Sequence, residues 1–130
     1  MILVDSSVWV EAFRKPGHIE AQRLGALLEA DLVAMAVPVR IELLSGASKA
    51  DRIRLRRLFS ALPNARPCNR TWDLIDGWLD RAGEAGEVFA FADLLIAALA
   101  VEAGWRLWSK DGDFARMEAL GLLECYRAED

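Results

Sequence analysis

An α/β fold with a mainly parallel sheet is what this chain's pattern of apolar residues predicts, and three observations carry the assignment. The apolar runs over residues 2–4 and 32–37 are short and lack polar alternation, which suits strands buried on both faces beneath helices. Each leads straight into residues that start a helix. The stretches between such runs carry apolar residues at helical spacing, so strands and helices alternate along the chain.

Residues 2–4 form the first expected strand, with Asp5 at its carboxyl end and Ser6 or Ser7 placed to cap the next helix. Val8, Trp9, Ala12 and Phe13 fall at helical spacing, Trp9 and Phe13 being expected in the core, and Pro16-Gly17 stops that helix. A second helix is expected over residues 18–30, burying Ala21, Leu24, Leu27 and Leu28. Pro38 closes the strand at 32–37 and opens a helix ending at Gly46, with Ile41, Leu43 and Leu44 pointing inward. Proline is tolerated there because its missing donor would be unpaired anyway.

An amphipathic helix then spans 49–62, a short third strand 65–69, and a helix over 70–82 sets Trp72, Ile75, Trp78, Leu79 and Ala82 on one face. Residues 83–87 read as a loop. Residues 88–91 read either as a brief extended segment or as the approach to the next helix. That helix, 92–101, is apolar nearly all round and is expected to be buried. A fourth strand at 105–108, a short helix to Leu120 and a last strand at 122–126 complete the chain.

A chain of 130 residues is expected to form one domain over residues 1–130, long enough for a single core. No apolar run approaches the ~20 residues of a membrane span. No basic flank precedes the first apolar run, so it reads as a strand and not a signal peptide, and the cytoplasm is the expected location. Cys68 and Cys125 form no C-x-x-C pair; neither a zinc site nor a disulfide framework is indicated, and both are expected as buried thiols. The single histidine, His18, is expected on the surface and disfavours any mechanism needing two. A net charge of −4 argues against a nucleic-acid partner only if the acids are dispersed. A cluster that holds cations inverts the inference.

Asp5, Glu42, Asp93 and Asp111 each fall just past a strand or in a first helical turn, with Asp113 close behind. Right-handed crossovers bring such positions to one edge of a parallel sheet, where open α/β folds bind ligands. For Asp93 the plainer alternative is an acid stabilised by its helix dipole. Clustered carboxylates repel by about 4 kcal/mol per pair at 4 Å and an effective dielectric of ~20. Either their pKa values rise or a cation neutralises them. Oxygen donors without histidine or thiolate favour a hard ion, Mg²⁺ or Mn²⁺. With no phosphate loop and no G-x-G-x-x-G, the indicated chemistry is water activated against a phosphodiester. Arg40 and the basic run over 49–57, including Arg52 and Arg56, read either as a solvated helix face or as contacts to an RNA backbone.

Four stretches also carry a family resemblance: Asp5-Ser6-Ser7-Val8-Trp9, Pro38-Val39-Arg40-Ile41-Glu42-Leu43-Leu44-Ser45-Gly46, Ala92-Asp93-Leu94-Leu95-Ile96-Ala97-Ala98 and Ser109-Lys110-Asp111-Gly112-Asp113-Phe114. In order and separation they resemble the motifs of PIN-domain ribonucleases, and most of all VapC-type toxins of bacterial toxin–antitoxin pairs. The resemblance implies a three-layer α/β/α PIN-like fold and endoribonuclease activity dependent on Mg²⁺ or Mn²⁺. It also implies a homodimer and a separately encoded VapB-like antitoxin that occludes the site. Matched by motif, Asp5, Glu42, Asp93 and Asp111 would be the acidic quartet. Asp5, Asp93 and one of Asp111 and Asp113 would hold the metal, with Asp111 ranked first, and Glu42 would ligate it or orient its water. Ser6 and Ser109 would be donors that hold the carboxylates.

The expected reaction is in-line attack of water on phosphorus, leaving a 5′-phosphate and a 3′-hydroxyl. Against it stands a non-catalytic PIN-like scaffold that binds RNA or protein, which the complete acidic set disfavours. An aspartyl phosphatase needs a second Asp where Ser7 stands, and a phosphorylated receiver needs paired acids where only Asp5 is present.

Overall fold

The computed structural model describes residues 1–128. The elements run β1 (Ile2–Val4), α1 (Ser6–Arg14), α2 (Ile19–Glu29), β2 (Val33–Ala36), α3 (Val37–Ser45), α4 (Lys49–Ser60) and β3 (Asn64–Ala65). Then follow α5 (Asn69–Glu84), α6 (Phe91–Ala103), β4 (Arg106–Trp108) and α7 (Gly112–Ala119). Every residue of β1 and β2 is buried. Because successive side chains of a strand point to opposite faces, the sheet is covered by helices on both sides, giving three layers.

The four strands are parallel and ordered β3-β2-β1-β4. Leu3 pairs with Ala34 on one side and Leu107 on the other, so β1 is central. The chain moves outward from β1 to β2 and β3, then crosses back to lay β4 on the far side of β1. That reversal opens a crevice beyond the carboxyl ends of β1 and β4. A hydrogen bond from the Asp5 N–H to the Trp108 carbonyl, 2.9 Å, fastens the two strand ends together.

Residues Leu94 to Ala100 of α6 are all buried, as their apolar run predicts. Trp9 is 1% exposed and meets Phe59 edge to face at 5.4 Å between ring centroids. Phe13, expected beside it in the core, is 49% exposed. It lies one turn nearer the open end of α1, where its ring still touches Trp9 at 5.8 Å. Ile41 is likewise exposed: Val39, Leu43 and Leu44 claim the buried side of α3, and Ile41 lies on the opposite side. Trp72 and Leu79 are exposed while Ile75, Trp78 and Ala82 are buried, so the apolar face of α5 is narrower than its composition suggests.

Several boundaries also differ from expectation. Strand β2 stops at Ala36, and Val37 already belongs to α3. The third strand is only Asn64–Ala65, because Pro67 lacks a ladder donor and Cys68 caps α5. Helix α5 runs through Gly83 to Glu84 and ends where Gly86, at φ +73°, lets the Glu87 N–H reach the Ala82 carbonyl. Residues 88–91 form no strand; Phe91 opens α6. The last strand is reduced to one parallel bridge, Leu107 with Cys125. Cys68 is exposed and Cys125 half-buried, since one sits at a helix start and the other beside the sheet edge. No helix among the described residues is long and apolar enough to cross a membrane.

Trp9 and Phe13 are separated energetically by this packing. Trp9→Ala is expected to cost about 3–5 kcal/mol in urea unfolding. Phe13→Ala removes chiefly one exposed ring contact and is expected to cost at most about 1.5 kcal/mol.

Candidate active site

Asp5 occupies the N-cap position of α1, yet its carboxylate makes no capping bond. Its Oδ2 instead accepts from Ser7 Oγ and Ser109 Oγ, each at 2.8 Å. The hydroxyls are themselves held: Ser7 Oγ accepts from the Lys110 N–H and Ser109 Oγ from the Asp111 N–H, both at 3.0 Å. This ladder joins the start of α1 to the end of β4. It lets a carboxylate persist at 6% exposure.

Asp111 and Asp113 flank the start of α7. Asp111 is its N-cap, with Oδ1 accepting from the Asp113 N–H at 3.0 Å. Asp93 lies in the first turn of α6. One carboxylate oxygen from each of Asp93, Asp111 and Asp113 lies within 4.8 Å of the others. Burial, then the charge of Asp111 and a hydrogen bond with Asp113, raise the Asp93 carboxyl to about 6. Burial also raises Glu42, helped by Asp5 and opposed by a hydrogen bond with Ser6. Bare carboxylates that retain a proton this readily are short of positive charge. Their oxygen-only donor set and close spacing fit a hard divalent cation.

A cleft of about 440 Å³ is lined by Asp5, Ser6, Ser7, Glu42, Asp93 and Asp111, so the structure brings together the acids that lie far apart in sequence. Asp113 joins them through its contact with Asp93 and Asp111. Lys110 and Arg14 add positive charge to the same lining, and Lys110 Nζ pairs with Glu20 Oε1 at 2.7 Å. Val10, Arg14 and Glu42 also border a second, more apolar groove of about 520 Å³ that continues over Phe13, Leu43 and Leu55.

Ser6 and Ser109, expected beside the carboxylates, lie beside different ones, and Ser7 is a further donor that the motifs do not single out. Ser109 holds Asp5 together with Ser7, while Ser6 lies beside Glu42 and opposes the rise of its pKa. Both serines are visible in the sequence; which one turns toward Asp5 depends on how β4 meets α1. Arg40, Arg52 and Arg56 are absent from the lining of the acidic cleft. Arg52 Nη1 donates to the Ala47 carbonyl at 3.2 Å, and Arg56 is exposed on α4. Lys110 lies within the last of the family-like stretches and Arg14 in none; the sequence singles out neither beyond its charge.

Comparison with known proteins agrees with this geometry. The family model for the PIN domain matches residues 2–120. Ribonuclease VapC11 of Mycobacterium tuberculosis is 42% identical over 123 residues, covering 88% of this chain and 89% of the relative. Among solved structures, FitAB bound to a DNA fragment superposes with a TM-score of 0.80 at 20% identity, covering 100% of this chain and 99% of that one. VapBC-5 from Mycobacterium tuberculosis, a member of the VapBC family of toxin–antitoxin systems, gives 0.65 at 20% identity over 97% of both chains. Motif order, sheet topology and sequence identity converge: the chain belongs to the PIN-domain family and, within it, to the VapC ribonucleases.

Proposed function

We propose that this protein is a divalent-cation-dependent endoribonuclease acting as the toxin of a toxin–antitoxin pair. The observation that carries the reading is the clustering of Asp113 with Asp93 and Asp111, two acids that line one cleft with Asp5 and Glu42. Bound Mg²⁺ or Mn²⁺ supplies Lewis acidity toward the phosphate and makes water more acidic. Asp93, Asp111 and Asp113 would hold it, with Asp5: both serines bind Asp5 Oδ2, and among the described residues no hydrogen bond engages Oδ1.

Ser6 steadies Glu42, whose raised pKa suits it to take a proton from the attacking water. Water then attacks phosphorus in line, giving a 5′-phosphate and a 3′-hydroxyl. Lys110 and Arg14 draw the RNA phosphates into an otherwise acidic cleft, and Arg40, Arg52 and Arg56 extend the contact along the backbone outside it. The apolar groove that adjoins the cleft is the surface assigned to a VapB-like antitoxin, whose seat there would block RNA. The same reading places the protein in the cytoplasm as a homodimer that joins its antitoxin in a larger complex.

Antitoxin-free protein given a mixed cellular RNA pool should cut it with Mg²⁺ or Mn²⁺ and cease with chelator. Asp93→Asn, purified identically, should lower the rate by about 100-fold or more. Undiminished cutting by the variant would remove Asp93 from the reaction, and a 2′,3′-cyclic phosphate product would show that RNA, not water, is the nucleophile.

The raised Asp93 carboxyl yields a pH signature. Between the ordinary aspartate value of 3.8 and about 6, the folded protein binds more protons than the unfolded chain. Metal-free protein should therefore lose stability as pH rises through that window. Above it, cation at a hundredfold its dissociation constant should restore about 2.7 kcal/mol. At pH values above the window Asp93→Asn should raise the metal-free melting temperature and shrink the gain on adding Mn²⁺. A wild-type melting curve indifferent to Mn²⁺ would overturn the metal centre.

A further inference from the structure

Arg116 lies one turn beyond Asp113 on α7 and grips two carboxylates at once. Its Nη1 donates to Asp113 Oδ1 and its Nε to Glu87 Oε2, both at 2.8 Å. The guanidinium carbon sits 5.2 Å from the ring centroid of Phe89, which is 7% exposed. Glu87 and Phe89 belong to the segment between Gly86 and Ala90, and Ala90 caps α6, whose first turn carries Asp93. One side chain therefore ties the helix bearing Asp113 to the segment that delivers Asp93.

We propose that Arg116 is a positioning residue for the metal centre: by bridging Asp113 and Glu87 over Phe89 it sets the spacing of Asp113 from Asp93 without itself touching the cation. This rests on the metal reading above. An exposed ion pair has little value for stability alone, and Arg116 is 47% exposed, so thermodynamic support of the fold does not account for the arrangement. The planar fork does: a guanidinium can direct separate N–H groups at two carboxylates while its face rests on an aromatic ring, which an ammonium cannot do. Tied through Oδ1 to Arg116, the Asp113 carboxylate is held where one of its oxygens lies within 4.8 Å of oxygens from Asp93 and Asp111.

The sign of the effect on cation affinity separates positioning from charge. Removing a cation from beside three carboxylates should, by electrostatics alone, tighten binding of a divalent ion. Loss of positioning should weaken it, by about tenfold for a residue that orients a ligand. The experiment is calorimetric titration of Mn²⁺ into metal-free protein, with a melting temperature recorded for every variant.

Arg116→Ala and Arg116→Lys should both weaken Mn²⁺ about tenfold, lysine keeping the charge but not the fork. Glu87→Gln should weaken it in the same direction, and the Arg116→Ala, Glu87→Gln double variant should be no weaker than Arg116→Ala, since the two act as one unit. Wild-type affinity in Arg116→Lys, tighter binding in Arg116→Ala, or a lowered melting temperature with unchanged affinity would each overturn the proposal while leaving the metal centre intact. Failure of the wild-type protein to bind Mn²⁺ would overturn both. If Arg116→Ala does not fold, Arg116→Lys and Glu87→Gln decide the matter.

Discussion

The Asp5 carboxylate, 6% exposed and held through one oxygen by Ser7 and Ser109, is the contact on which the rest of the site depends. It marks where β1 ends, starts α1, and binds the end of β4 through a hydroxyl that also accepts from the Asp111 N–H. The β1–α1 junction and the end of β4, remote from each other in sequence, are registered by these few hydrogen bonds. A buried carboxylate left without donors would be costly, so the serines are as necessary to the fold as to any chemistry. Asp5 is also spared the capping work its position invites, which leaves an oxygen for the cleft.

Around that anchor the protein accumulates like charge. Asp93, Asp111 and Asp113 crowd within 4.8 Å, and burial together with mutual repulsion lifts Asp93 to about 6. Such crowding disfavours the folded state of the bare protein and is sustained by its surroundings: the dry, fully buried body of α6, the N-cap bond of Asp111, and the Arg116 tie across to Glu87. Opposing cations are few inside the cleft itself, where Lys110 is already paired with Glu20. The electrostatic deficit and the oxygen-only donor set thus point to one species of partner, a small hard cation, and through it to phosphate.

Adjacent to the acids the surface changes character. Val10, Arg14 and Glu42 belong both to the acidic cleft and to the apolar groove over Phe13, Leu43 and Leu55. The exposure of Phe13 is therefore part of a shaped surface, and α1 carries core, groove and cleft on three of its sides. A partner seated in the groove would reach the cleft without any rearrangement of the sheet.

What the sequence determined by itself was whatever rests on local periodicity and chain order. Unbroken apolar runs marked β1 and β2 as two-face-buried strands, the all-round apolar stretch marked α6 as interior, and acids just past strands marked one edge of a parallel sheet, because right-handed crossovers leave no other place for them. The family resemblance sharpened this to the PIN fold and to an expected acidic quartet of Asp5, Glu42, Asp93 and Asp111, with Asp113 ranked behind Asp111. Only the tertiary structure decided which of Ser6 and Ser7 faces Asp5, that Phe13 and Ile41 are exposed where Trp9 and Leu43 are buried, and that Arg116 spans to Glu87. Each of those outcomes turns on what a neighbouring element from a distant part of the chain leaves uncovered or brings within hydrogen-bond reach. Periodicity records that a residue has an apolar or polar side; it does not record what the other elements place against it.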